Sequence, residues 1–260
     1  MQRIAHAFSV QQSVLSALIY ADLRARFSRG ALGIFNQILS MSWMVILFSI
    51  LRYITDAPAH RGMQAIPFLS IGVFSFFVFR TTFLLSSEAI GEKSGLMRFP
   101  NVTQLDVAIA TAIVNIFLFC AIAGLFFLFY IWFGFSDPIS NPIELLIIMI
   151  AMGIYGFSLG LVVGLLFLYA PYLRRPITLL LRALFFVSGT FFVIPEMPAF
   201  VAPYALYNPL LHLTDMGRAA YFTIYDSAQS EPAYVLKFGA VLLMAGLVCE
   251  RASREKVAEK

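Results

Sequence analysis

The stretch LLIIMIAMGIYGFSLGLVVGLLFLYAPYL, Leu145–Leu173, runs for 29 residues without a formal charge. About 20 mostly apolar residues in a helix cross the roughly 30 Å hydrocarbon core of a bilayer. A helix is the one open-ended structure that satisfies its own backbone polar groups there. Within the stretch, Gly156, Gly160 and Gly164 recur every four residues on one helix face, with Gly153 just before them. Small residues at that spacing let two helices approach closely in a membrane. Packing inside a bundle is the first reading of this stripe, and a contact between subunits is the second.

Similar runs flank this one. Gly30–Leu51 has 22 uncharged residues and Val107–Ser136 has 30; Gly62–Phe79 has 18, followed by Arg80 and seven more uncharged residues. Pro176–Pro195 is interrupted only by Arg182, and Pro232–Cys249 contains Lys237. Between those two, Glu196–Glu231 is apolar but broken by Pro198, Pro203 and Pro209, and it carries Asn208, His212, Asp215 and Arg218. The expectation is an all-α integral membrane protein with six transmembrane helices and a broken, re-entrant segment before the last; seven crossings is the alternative.

Composition agrees. Of 260 residues, 60% are hydrophobic and 12% charged, with 27 Phe, and the mean hydropathy is +0.85. Soluble domains run near 25% charged, so a soluble enzyme is excluded. Cys120 and Cys249 both sit in apolar runs and suggest buried thiols, without a disulfide framework or a metal site. The first 28 residues lack a secretory-signal pattern, with Asp22, Arg24 and Arg26 interrupting them.

Charge asymmetry sets the expected orientation. The lead-in, the connection between spans two and three, the one between spans four and five, and the tail together carry 12 basic residues, whereas the opposite side carries four. Both termini are therefore expected in the cytoplasm. The net charge of +4 suits an anionic inner leaflet and requires no nucleic acid. Residues 1–29 read as a cytoplasmic or interfacial amphipathic helix: Val10, Val14, Leu18 and Ile19 form a stripe that Leu23 and Phe27 continue, with Arg24, Arg26 and Arg29 elsewhere around the turn. Residues 30–250 form the membrane domain and 251–260 a cytoplasmic tail. The stretch 88–106 mixes Glu88, Glu92, Lys93, Arg98 and Asp106 with Ile90, Leu96, Met97 and Phe99. It reads either as a short amphipathic helix facing the cytoplasm or as a plain connector.

No phosphate-binding loop of the G-x-x-x-x-G-K-[ST] type, no H-E-x-x-H and no C-x-x-C occurs, so the chain has no ATP-hydrolysing or zinc motif of its own. Polar residues at bilayer depth are the functional candidates. Arg80, flanked by Ser75, Thr81, Thr82, Ser86 and Ser87, either faces a hydrated path and meets an anionic substrate, or snorkels or pairs with a carboxylate. Phe126, Phe127, Phe129 and Tyr130 crowd the end of the third span, and Phe185, Phe186, Phe191 and Phe192 the fifth. They suit an interfacial aromatic belt or the lining of a path for sugar rings.

The order of these features resembles the membrane subunit of an ABC-2 type exporter and, within that class, the capsular polysaccharide export permease. The resemblance covers almost the whole chain. It rests on Leu23-Arg24-Ala25-Arg26-Phe27 with Leu32-Gly33, on Gly95-Leu96-Met97 running to Asp106, and on Asn208-Pro209-Leu210-Leu211-His212 followed by Arg218-Ala219. It implies a homodimer of this chain with two ATP-binding subunits, which hold the ATP and Mg, and no cofactor here. It also implies periplasmic and outer-membrane export partners, a lipid-linked and usually acidic polysaccharide as cargo, and residence in the bacterial inner membrane. A coupling helix at about 88–99 would carry Glu88, Glu92, Lys93 and Leu96. Arg24, Arg26 and Arg29 would stand at the cytoplasmic gate, and Arg80, Phe126, Tyr130 and Phe185 along the path. A re-entrant segment at about 196–213 would include Asn208, Pro209 and His212. Departures from the family pattern are Asn36, Ser40, Met41, Lys93, Gln104 and, where a small polar residue is usual, Arg80. An ABC-2 exporter of O-antigen, teichoic acid or another lipid-linked glycan is the near alternative. A secondary active transporter and a membrane-embedded enzyme of lipid or polymer synthesis are the more distant ones. The scarcity of acidic residues at bilayer depth weighs against a proton- or sodium-driven carrier.

Overall fold

The computed structural model describes residues 2–28, 31–54, 60–91 and 102–258. Among them the regular structure is helical: α1 (Gln2–Ser28), α2 (Ala31–Ile54), α3 (Ala65–Gly91), α4 (Gln104–Trp132), α5 (Pro142–Tyr169), α6 (Arg174–Val187), α7 (Ala202–Ala205), α8 (Pro209–Tyr221) and α9 (Pro232–Ala258). Four helices are long and apolar enough to cross a membrane, over Ala65–Ile90, Gln104–Trp132, Pro142–Tyr169 and Pro232–Arg254. The chain is thus an all-α, multi-pass membrane protein.

The helix starts follow local chemistry. Thr103 caps α4 in a reciprocal box with Asp106: the Thr103 hydroxyl accepts from the Asp106 backbone N–H, and the Asp106 carboxylate accepts from that of Thr103. Asn141 caps α5, accepting from the Glu144 N–H at 3.2 Å, with Pro142 at the first helical position.

At the centre stands α3, which is mostly buried and packs most extensively against α5. The glycine stripe makes that contact. A methyl group on Gly156 would lie 2.2 Å from the Phe79 carbonyl oxygen of α3, and one on Gly160 would lie 2.7 Å from that of Phe83. The stripe is therefore spent inside the bundle and does not lie open as a subunit contact. On another face of α3, Asn115 of α4 donates to the Thr82 hydroxyl at 2.9 Å, with both residues fully buried. The α9 helix closes on α5 through the Tyr155 hydroxyl, which donates to the Val235 carbonyl, and leaves most of its surface facing outward.

Two elements differ from expectation. The stripe of α1 does not simply face lipid. Leu18 is buried, with Val14 and Ile19 beside it, against Ala89 and Ile90 of α3, Val107, Ala108 and Ala110 of α4, and Leu161 and Leu168 of α5. Gln11 donates to Asp106 near the foot of α4, and Arg26 reaches Asn115, nine residues or about 14 Å further along that helix. Second, the expected span Pro176–Pro195 is corrected: α6 begins at Arg174 and stops at Val187, 14 residues or about 21 Å. Gly189 turns the chain out of the helix at φ +75°, and the non-helical stretch after it is held elsewhere.

Candidate functional site

That hold comes from Arg218 of α8, which is fully buried. Its guanidinium donates to the Phe192 carbonyl at 2.6 Å and the Thr190 carbonyl at 2.9 Å, and it lies 3.7 Å over the Phe68 ring of α3. A planar fork that meets two carbonyls and an aromatic face is a use that lysine cannot copy. Beside it, Asp215 accepts from the Tyr225 hydroxyl at 2.5 Å and from the Ser230 hydroxyl at 2.9 Å. Burial pushes the Asp215 carboxyl above its usual range, more than these hydrogen bonds pull it down.

Asn208, Pro209 and His212 open α8. Asn208 accepts from the Leu210 N–H at 3.1 Å and reaches back to Val187 and Ser188 at the end of α6. Pro209 takes the first helical position. His212 is buried, with Nδ1 accepting from the Glu231 N–H at 3.4 Å and Nε2 at 2.8 Å from the Leu206 carbonyl; a neutral ring protonated on Nε2 satisfies both. These side chains build the turn-rich segment and tie it to α6 and α9, and nothing in their arrangement supplies a nucleophile.

Arg80 faces the other helix of interest. Together with Phe76 and Phe77 of α3, Met44 of α2, and Leu181, Arg182, Phe185 and Phe186 of α6, it lines a cavity of about 240 Å³. Phe185 is buried, its ring edge-on to Phe76 at 5.1 Å. Arg80 forms neither a hydrogen bond nor an ion pair, and its buried Nε has no acceptor among the described residues. The other charged residue of the cavity lining is Arg182. Thr82 lies two residues on and so points to the opposite side of α3, toward Asn115.

A matching family model now joins this geometry: the ABC-2 type transporter family, over residues 13–222. The chain belongs to the ABC-2 type transporters. Curated relatives extend the match to nearly the full length. The polysialic acid transport protein KpsM of Escherichia coli is 29% identical over 252 residues, 95% of this chain and 96% of that protein. The capsule polysaccharide export inner-membrane protein CtrC of Neisseria meningitidis is 25% identical, with 93% and 91% covered. BexB of Haemophilus influenzae, a protein of the same description, is 23% identical, with 93% and 91% covered. The chain is thus an ABC-2 membrane permease related to the capsular polysaccharide export proteins, a transport subunit and not an enzyme.

The remaining candidate residues of this permease fall in several places. Glu88 is exposed in the last turn of α3, and Glu92, Lys93 and Leu96 lie outside the described residues, as does Arg29. Arg24 is exposed on α1. Arg26 pairs with Asp22 at 3.1 Å and approaches the Asn115 side-chain oxygen at 3.5 Å. Phe126 and Tyr130 do not join Phe185 in the cavity wall. They pack in the α3–α4 core, Phe126 against Phe74, and the Tyr130 hydroxyl takes a hydrogen bond from the buried Ser70 at 3.0 Å. The rings exposed at this end are instead Phe129, Trp132, Phe133 and Phe135. The residue that sequence reasoning underused is Arg218. Its signal was a formal charge amid the apolar Leu210, Leu211, Leu213 and Ala220, which requires a partner.

Proposed function

We propose that the chain is the membrane-spanning half of an ATP-driven exporter, pairing with a second copy and with two ATP-binding subunits to move lipid-linked, acidic capsular polysaccharide across the bacterial inner membrane. The observation that carries this reading is similarity over nearly the whole length to proteins described as polysialic acid transport and capsule polysaccharide export proteins. The ATP and Mg belong to the partner, and periplasmic and outer-membrane export proteins receive the product. In this arrangement six crossings, the fifth made by α6 with the non-helical stretch after it, place both termini in the cytoplasm, with residues 1–29 at the membrane surface, 30–250 as the membrane domain and 251–260 as a cytoplasmic tail.

Each part has a role. Glu88, Glu92, Lys93 and Leu96, in a coupling helix at about 88–99, receive the closure of the ATPase and pass it to α3. Arg24, Arg26 and Arg29 meet the lipid-linked polymer at the gate. Arg80 and Phe185 line the path, joined by Phe126 and Tyr130 if α4 moves during transport. The re-entrant segment at about 196–213, with Asn208, Pro209 and His212, shapes the outer mouth. Co-expression with a candidate ATP-binding subunit from its own gene neighbourhood tests the reading. A stable two-plus-two complex whose ATP hydrolysis rises with lipid-linked polysaccharide is expected. A complex indifferent to glycan reopens the substrate, and transport that persists without ATP but collapses with the proton gradient replaces the exporter by a secondary carrier.

A further inference from the structure

The two guanidinium groups that share the α3–α6 cavity are chemically unfinished. Arg182 stands eight residues in from the start of α6 at Arg174 and Arg80 eleven residues in from the end of α3 at Gly91, about 12 and 16 Å along their helices. Both line the same cavity. Neither forms an ion pair among the described residues, and the walls around them are Phe76, Phe77, Phe185, Phe186 and Met44. Arg80 is half-buried and Arg182 is exposed at the rim, and an anion bound between two like charges relieves their repulsion. The space, about 240 Å³, equals about eight waters at roughly 30 Å³ each, enough for a carboxylate or phosphate with part of its parent group.

Arg182 also borders a second cavity of about 430 Å³, with Arg174, Arg175, Thr178 and Leu179. Positions 175, 178, 179 and 182 share one face of α6. That face therefore leads from the basic start of the helix inward to Arg182, and Arg80 stands beyond it. Guanidinium forks match the paired oxygens of carboxylates and phosphates, and the flanking rings suit an apolar sugar face or an acyl chain.

We propose that Arg182 and Arg80 form a two-point oxyanion site, approached along α6 past Arg175, which takes the carboxylate or phosphate of an amphiphilic ligand. Identifying that ligand as cargo rests on the export reading; the site itself does not require an ATPase.

The test uses the full chain in phosphatidylcholine nanodiscs, titrated by native mass spectrometry with dodecyl glucuronide, dodecyl phosphate and, as the neutral control, dodecyl maltoside. Both anions are expected to bind. Arg80→Gln and Arg182→Gln should each weaken them about tenfold or more, the loss of one charge-assisted contact, while the maltoside is unaffected and Arg80→Lys keeps part of the affinity. Competition by phosphatidylglycerol in the disc would identify a lipid phosphate as the natural occupant; competition by a sialic acid oligomer but not by phosphatidylglycerol would identify the glycan. Either result supports the site. Anion binding unchanged in both glutamine variants, with melting temperatures like the parent's, overturns it, as does an equal loss for the maltoside. Failure to copurify with an ATPase would leave these titrations untouched, so the two readings fail separately.

Discussion

Replacing Gly156 with alanine should destabilise the bundle, although alanine is the better helix former by about 1 kcal/mol. The new methyl would stand 2.2 Å from the Phe79 carbonyl oxygen and 3.1 Å from the Phe83 backbone nitrogen. Relief to ordinary contact demands that α3 and α5 separate by about 1 Å, because backbone atoms cannot rotate away. Overpacking of this kind costs about 1–3 kcal/mol, and the separation also loosens the contacts of Gly153, Gly160 and Gly164 along the same seam, so a net loss of about 2 kcal/mol is expected. Gly124 of α4 supplies the control: nothing lies within 4 Å of a methyl placed there, and Gly124→Ala should gain about 0.5–1 kcal/mol. At about 2–4 °C per kcal/mol for a chain of this size, thermal unfolding in detergent, followed by intrinsic fluorescence, should show G156A melting about 4–8 °C lower and G124A slightly higher. If both variants shift in the same direction by the same amount, helix propensity and not the α3–α5 contact governs the stripe, and the packing argument fails.

Arg218→Met should cost about 3–5 kcal/mol, the range for unmaking a buried polar cluster from one side, and should open residues 188–208 to limited proteolysis; a protease pattern like the parent's would count against the clamp. In a double-mutant cycle, Asn115→Ala and Thr82→Ala should couple by about 0.5–1.5 kcal/mol, and strict additivity of their melting shifts would remove the interhelical bond from the account. For Asp215 the folded-state pKa is raised by burial, so between its unfolded value and that raised value the native state binds more protons. Stability relative to Asp215→Asn should therefore improve as pH is lowered through that window and stay flat above it; a relative stability that falls on acidification instead would contradict the burial of the carboxylate. Glu92→Ala or Lys93→Glu should leave folding intact and lower transport-coupled ATP hydrolysis in the reconstituted complex, and unchanged coupling would move the contact elsewhere.

Length of uncharged sequence made α3, α4 and α5 legible, and apolar length made α9 so despite Lys237, since only a helix can carry such runs through lipid. The end of α6 was harder. Ser188-Gly189-Thr190 is a fair stop signal, but the apolar Phe191–Ile194 that follows carries the hydropathy pattern onward. Gly189 turns the chain at φ +75°, and the stretch after it is held away from a helix by the grip of Arg218 on carbonyls 26 and 28 residues away, which no local pattern encodes. The stripe of α1 was visible but its partner was not: lipid and the feet of three neighbouring helices attract the same residues. Phe126 and Tyr130 show the same limit. A cluster of rings looks alike whether it faces a path or a core, and only the position of Ser70 opposite Tyr130 separates the two. Arg80 stood out early because a charge at that depth must have a purpose, yet its companion Arg182 became apparent only when two helices were placed side by side.

The glycine seam has a consequence for the ion economy of the cell. From Gly156 to Gly164 it runs eight residues, about 12 Å, roughly two-fifths of the hydrocarbon thickness. Along this length the backbones of α3 and α5 lie too near each other to admit a file of water. A conduit wide enough for a polymer threatens to short-circuit the proton and sodium gradients across the membrane that holds it. Here the joint between α3 and α5 is closed to ions by construction along that length.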